Sequence, residues 1–280
     1  MMTEILDGRA LSRKIRQQLK QRTARLRERG IIPALAVILV GTDSASQIYV
    51  RNKHRAAAEV GLATHDFKLP ETTTEEELLA LIAKLNVDPS IHGILVQLPL
   101  PPQIDSAKIT AEIDPSKDVD GFHPLNVGQL FLNNPQSLPC TPHGIMRLLA
   151  EHQIDVAGKH AVVVGRSNIV GRPIAALLLN ADATVTVTHS KTANLRELTR
   201  QADILIVAIG RAEFIKAADV KPGVVVVDVG MNRNAAGKLV GDVDFTEVEP
   251  IAEAITPVPG GVGPMTIALL LEQTVKFAER

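Results

Sequence analysis

Cysteine and large aromatics are nearly missing from the 280 residues: there is one cysteine, Cys140, one tyrosine, Tyr49, and no tryptophan. A lone cysteine excludes an intrachain disulfide and a multi-cysteine metal site. Cys140 sits in Leu-Pro-Cys-Thr-Pro with no patterned histidine partner, which favours a small buried hydrophobe over a nucleophile. Net charge is missing as well. Thirty basic residues against 31 acidic ones leave a formal charge of -1, so the chain lacks the basic field that nucleic acid or an anionic membrane requires. Any charged ligand must therefore be met locally. The longest apolar runs, such as Ile31 to Val40, are too short to span a bilayer. Met1 to Gly8 carry Glu4 and Asp7 in place of the basic-then-apolar order of a secretory signal. The expectation is a cytoplasmic protein with no nucleic-acid or membrane partner.

What is present is an ordinary globular composition, 45% hydrophobic and 22% charged, at a length that suits two domains with separate cores. Both halves alternate strand and helix signals. Ala34 to Val40 is a continuous apolar run ending in Gly-Thr-Asp, as expected of a buried parallel strand that leads into a helix. Asp43 or Ser44 caps that helix, and Gly61 stops it. A short strand is expected at Asp66 to Leu69. Thr74 with Glu77 forms a capping box for a helix to Asn86, and the strand Ile91 to Gln97 ends at Leu-Pro-Leu-Pro-Pro. Asp114 to Pro142 is rich in Pro, Asn, Gly and Asp and is read as a long functional loop. From Thr141-Pro142 a helix runs to Glu151. Strands then follow at His160 to Val164, Thr184 to Thr188, Ile204 to Ala208 and Val224 to Val229, with helices after Gly171 and Thr192. The predicted fold is α/β: an N-terminal catalytic domain (1–139) and a Rossmann-like doubly wound domain (140–263), with the last helix (264–280) packing back on the first.

The turn Gly165-Arg166-Ser167-Asn168-Ile169-Val170-Gly171 follows a strand and opens a helix. A pyrophosphate fits such a turn, because backbone N–H groups and the positive helix end face it and glycine permits close approach. The spacing is not G-x-G-x-x-G, and a plain α/β turn would also use glycine for packing. The βαβ surroundings favour the dinucleotide site. An NAD site normally has an acidic residue at the end of the second strand. Here that strand ends Thr188-His189-Ser190-Lys191. With Arg166 opposite Ser190 and Lys191, the pocket matches a 2′-phosphate, so NADP is expected.

In the first half, Ser46, Tyr49 and Lys53 fall at i, i+3 and i+7 and share one helical face, while Gln97 ends a strand of the same sheet. Lys53 works as a base only where burial lowers its pKa; otherwise it is a solvated surface lysine. Asp118-Val119-Asp120-Gly121-Phe122-His123 offers a metal site, a base, or a binder of heterocycle N–H donors. Metal is disfavoured because three close ligands are not evident, and a carboxylate at Asp120 matches two parallel donors. Turn chemistry is the plain alternative. The stiff loop Pro257 to Pro264 either lies flat against a ligand or connects domains rigidly.

Taken together, Ser46-x-x-Tyr49-x-x-x-Lys53, Val96-Gln97-Leu98-Pro99, Asp118-Val119-Asp120-Gly121-Phe122, Gly165-Arg166-Ser167 with Val170-Gly171, and Pro257-Val258-Pro259-Gly260-Gly261-Val262-Gly263-Pro264 resemble the bifunctional methylenetetrahydrofolate dehydrogenase/cyclohydrolase family. The resemblance implies oxidation of methylenetetrahydrofolate by NADP, then hydrolysis of the methenyl product to formyltetrahydrofolate, in a homodimer formed through the cofactor domain. It assigns the catalytic lysine to Lys53, its partner to Gln97, the stacking tyrosine to Tyr49 and the pterin-binding aspartate to Asp120. Ser46, Val96, Leu98, Pro259, Gly260, Gly261, Val262 and Gly263 join the substrate site, and Gly165, Arg166, Ser167, Ser190 and Met231 the cofactor site, with no metal. Met231 stands where the family commonly has isoleucine. Two other readings are an NADP oxidoreductase of a small acid, with Lys53 and Asp120 as an acid/base pair, and a catalytically silent dinucleotide or folate sensor.

Overall fold

The structure, a computed structural model, describes residues 3–42 and 44–280, without the side chains of 44–49. Along the chain, β1 (Glu4–Ile5) precedes α1 (Gly8–Glu28), β2 (Ala34–Val40), α2 (Ser44–Val60), β3 (Ala63–Leu69), α3 (Glu75–Val87) and β4 (Gly93–Val96). Helices α4 (Ser106–Glu112), α5 (Pro124–Phe131) and α6 (Cys140–Glu151) follow. The second half runs β5 (His160–Val164), α7 (Gly171–Asn180), β6 (Thr184–Thr188), α8 (Leu195–Thr199), β7 (Ile204–Val207), β8 (Val225–Asp228), β9 (Asn232–Arg233), β10 (Leu239–Val240), α9 (Phe245–Val248), β11 (Ala254–Ile255) and α10 (Val262–Ala278).

The chain divides into two units, Arg13–Cys140 with Ile267–Arg280, and Met1–Ser12 with Thr141–Thr266. The first unit is built on a parallel sheet of order β3-β2-β4. Every residue of β2 is buried, which explains its unbroken apolar run. Ala36, Ile38 and Val40 pack with Ile94 and Val96 against Leu78, Ile82 and Leu85 of α3. Each such fully buried Leu or Ile stabilises the fold by about 1.5–3 kcal/mol. The capping box at the start of α3 is formed: Glu77 N donates to Thr74 Oγ1, and Thr74 N donates back to the Glu77 carboxylate. The cap expected at Asp43 lies outside the described residues. Helix α10 is tied to this unit by Arg22 of α1, which grips Glu279 through Nε and Nη2 at 2.9 and 2.7 Å.

The second unit is Rossmann-like: a six-stranded sheet of order β1-β11-β8-β7-β5-β6, parallel throughout. The chain goes from β5 outward to β6 and then back to β7 on the other side, so the topological switch point lies between β5 and β7. Two boundaries differ from expectation. Residues 3–12 do not belong with 13–139, because β1 pairs with β11, Glu4 opposite Ala254 and Ile5 opposite Ile255. The stretch read as a loop from Asp114 to Pro142 contains α5, whose first position is the φ-locked Pro124 and whose cap is the His123 ring accepting from Leu125 N.

Candidate active site

Lys53 projects from α2 into the interior and is 5% exposed. Gln97 lies one residue beyond β4, where its amide still donates to Ile38 O at 2.9 Å and keeps it in register beside β2. Lys53 Nζ donates to Gln97 Oε1 at 3.0 Å. Gln97 Nε2 donates to Leu98 O at 2.8 Å, which fixes the amide so that its oxygen, not its nitrogen, faces the lysine. The Leu98–Pro99 bond that follows is cis. Burial holds Lys53 below the ordinary lysine range, with Asp120 and Cys140 pulling the other way. Burial pushes the Cys140 thiol well up, so it stays neutral, and the opposing charge is that of Asp120. Asp120 is half-buried, and burial of its carboxyl raises it to about 6, with Lys53 lowering it and Asp118 raising it. Near neutral pH the pair is thus an ionised carboxylate beside an amine that loses its proton more readily than a surface lysine. Ser46 and Tyr49 sit on the same helix, and their side chains lie outside the described residues.

The two carboxylates of the Asp-Val-Asp-Gly segment divide the roles foreseen for them. Asp118, 2% exposed, accepts from Gly121 N at 3.0 Å, His123 N at 2.8 Å and Asn126 Nδ2 at 2.9 Å. It therefore performs the turn chemistry. Asp120 is left to face Lys53. Ser137 Oγ donates to Asp118 O, and the Cys140 thiol to Val119 O, from the other side. Gly121 has φ 70°, and a Cβ there would come within 2.6 Å of the Leu138 and Pro139 backbone. Asp118 and Asn126 escaped the sequence reading as scaffold; the signal was their spacing on either side of a Gly and a helix-starting Pro. The Val96 side chain belongs to the core, so only its backbone remains for a ligand.

In the Rossmann-like unit, Gly165 N donates to Thr188 O at 3.0 Å, and Val164 is paired with Thr188. Arg166 and Ser190, each two residues past this pair, leave the same edge of adjacent strands, and both are exposed, as are Ser167 and Lys191. At its two glycines the turn has no room for a side chain. A Cβ on Gly165 would lie 2.3 Å from Ala208 O, and one on Gly171 2.3 Å from Gly165 O. Ser167 Oγ accepts from Val170 N and Gly171 N, and Ser167 O from Arg172 N. The first amides of α7 are thus satisfied within the turn. Met231, 57% exposed, follows β8 at the same edge. Pro259 to Gly263 also belong to this unit: Arg9 N donates to Gly260 O, and a Cβ on Gly8 would overlap Gly261 O.

A parallel sheet with a glycine turn at its switch point is the frame of a dinucleotide-dependent α/β enzyme, and the same chain carries a buried lysine opposite a carboxylate. Residues 6–120 match the tetrahydrofolate dehydrogenase/cyclohydrolase catalytic domain, and residues 139–280 match the NAD(P)-binding domain of the same family. The chain belongs to the tetrahydrofolate dehydrogenase/cyclohydrolase family. It is 61% identical over 280 residues to the bifunctional protein FolD of Ligilactobacillus salivarius, covering 100% of this chain and 98% of that one. The crystal structure of the FolD bifunctional enzyme of Campylobacter jejuni is similar at a TM-score of 0.98 and 56% identity, covering 100% of this chain and 99% of that one. The Trypanosoma brucei dehydrogenase-cyclohydrolase, solved with NADP cofactor and an inhibitor, is similar at a TM-score of 0.95 and 40% identity over 100% of this chain and 98% of that one.

Proposed function

We propose that Lys53, Gln97 and Asp120 form the centre at which this bifunctional enzyme acts on tetrahydrofolates. The chain oxidises methylenetetrahydrofolate to methenyltetrahydrofolate with NADP and hydrolyses the product to formyltetrahydrofolate. When bound, NADP supplies the hydride acceptor. The observation that carries the assignment of the centre is the buried Lys53 amine, 3.0 Å from Gln97 Oε1 and opposed by Asp120.

In the hydrolytic half, water adds to the electrophilic methenyl carbon and must lose a proton as the C–O bond forms. Neutral Lys53 takes that proton. Gln97 holds the amine by one N–H and so aims its lone pair elsewhere. A cationic substrate further favours the neutral amine by like-charge repulsion. The adduct then opens: its hydroxyl loses a proton as the C=O bond forms, one C–N bond breaks, and the leaving nitrogen takes up the proton that Lys53 holds, so that the formyl group remains and one proton is released overall. Asp120, as a carboxylate, accepts from two parallel pterin N–H donors. By the family resemblance, Ser46, Tyr49 and Leu98 join the folate site of this centre, with Tyr49 as the stacking residue.

For the cofactor, Gly165 and Ser167 shape the phosphate turn, Arg166 and Ser190 suit a 2′-phosphate, and the Met231 backbone lies at the nicotinamide side. The enzyme is further inferred to be a cytoplasmic homodimer joined through its cofactor domain; among the described residues, no helix is long and apolar enough to cross a membrane. One assay tests the centre: with methylenetetrahydrofolate and NADP, NADPH forms first and methenyl absorbance then decays. Lys53→Met is expected to lower the decay rate by about 100-fold or more while NADPH formation remains measurable. Decay at the parental rate would remove Lys53 from its role, and neither signal from the parental protein would remove the turnover reading in favour of a silent sensor.

A further inference from the structure

Two buried carboxylates of the Rossmann-like unit are used by neither activity as described above. Asp242 is fully buried and Asp228 is 3% exposed. Asp242 Oδ2 accepts from Ile209 N at 2.7 Å and Gly210 N at 3.0 Å, and its Oδ1 from Arg211 N and Asn232 Nδ2, both at 2.8 Å. Four donors on two oxygens fill the acceptor sites of an ionised carboxylate. Three of them are successive backbone amides, a concavity that elsewhere captures an anion from solution. Here the protein's own carboxylate closes it.

Asp228, at the end of β8, secures the anchor itself. Its Oδ1 accepts from Asp242 N at 2.9 Å and Gly230 N at 2.8 Å, and its Oδ2 from Val243 N at 2.8 Å. Glycine is required at both approaches. A Cβ on Gly230 would lie 2.4 Å from Asp242 Cγ, and one on Gly241 1.8 Å from Asp228 Oδ2.

The geometry points to Asp242 as a positioning residue for the nicotinamide half of the cofactor, acting through the segments after β7 and β8. These two segments, Ile209–Arg211 and Gly230–Asn232, sit at the carboxyl ends of adjacent strands, where doubly wound sheets bind ligands. The phosphate turn follows β5 on the far side of β7, so a dinucleotide running from that turn along the sheet edge reaches β7 and β8 with its other end. Asp242 is bonded to both segments, and exposed Met231 lies between Gly230 and Asn232, two residues that it or its partner Asp228 holds.

The inference rests on the NADP reading and is tested by binding rather than turnover. Dissociation constants of NADP and of 2′,5′-ADP, which lacks the nicotinamide half, are measured calorimetrically on the full chain. Asp242→Asn keeps the shape but sets an NH2 group against N–H donors; it is expected to weaken NADP about tenfold or more and 2′,5′-ADP less than about twofold, because a buried donor left unsatisfied displaces its segment. Equal losses for both ligands, or none for NADP, would overturn the assignment. Should Asp242→Asn show no cooperative melting, Asn232→Ala decides, since it removes one partly exposed donor: about threefold weaker NADP with unchanged 2′,5′-ADP is expected, and unchanged NADP overturns it. A parental protein that bound neither probe would remove the cofactor reading, and this inference with it.

Discussion

Lys53 and Asp120 illustrate how burial sets chemistry one residue at a time. Lys53 is lowered by desolvation and Asp120 is raised to about 6. The signs give opposite consequences for the pH profile. A base must be deprotonated, so the hydrolytic kcat rises with pH towards the lowered lysine pKa, and the limb sits below the usual 10.5. A pterin-accepting carboxylate must be ionised, so the substrate KM rises as pH falls through about 6. Steady-state hydrolysis of methenyltetrahydrofolate between these limits checks both; a kcat flat with pH, or a KM flat through 6, would remove the corresponding residue. Much of this centre was legible. Lys53 was singled out by its helical face, Gln97 by its strand-end position and Asp120 as a loop carboxylate, and the structure brings them together. Which of the two aspartates holds the loop was not legible, since a turn-capping and a ligand-facing carboxylate look alike until the donors are placed. Asp228 and Asp242 were invisible because all but one of their partners named above are backbone amides, drawn from three separate segments.

At the scale of elements, glycine at 165 is dictated by both conformation and space. Its φ is 118°, and the nearest carbonyl leaves no room for a methyl group. Gly165→Ala is expected to lower stability by about 1–3 kcal/mol and to weaken NADP, while cofactor-free hydrolysis persists; thermal melting and NADP titration measure the two effects, and full-strength NADP binding would count against a phosphate turn here. Strong local signals reported their elements well: the Thr74/Glu77 box starts α3, and Gly61 ends α2 with φ 77°. Helix α1 was missed although Leu11, Ile15, Leu19 and Leu26 are buried along it, because its charged residues outnumber that narrow stripe. Helix α5 was hidden by a composition typical of loops. Strand β1 has two residues, and its partner β11 lies some 250 positions away, so no local pattern announces it.

The whole molecule carries almost no net charge, -1 on 280 residues, and self-association therefore meets little long-range repulsion. A homodimer is expected to sediment at twice the chain mass at micromolar concentration and to persist in moderate salt; a monomer across that range would refute it. The division of the chain also bears on synthesis. It passes between the units near residues 12, 140 and 266, so each unit is assembled from two separate stretches. The β1 strand is synthesised some 250 residues ahead of its partner β11, and residues 13–140 ahead of the stretch 267–280 that belongs with them. Domain-by-domain maturation, the usual course for longer chains, is therefore complicated here: each unit is complete only with its second stretch, 141–266 for the Rossmann-like unit and 267–280 for the lysine unit.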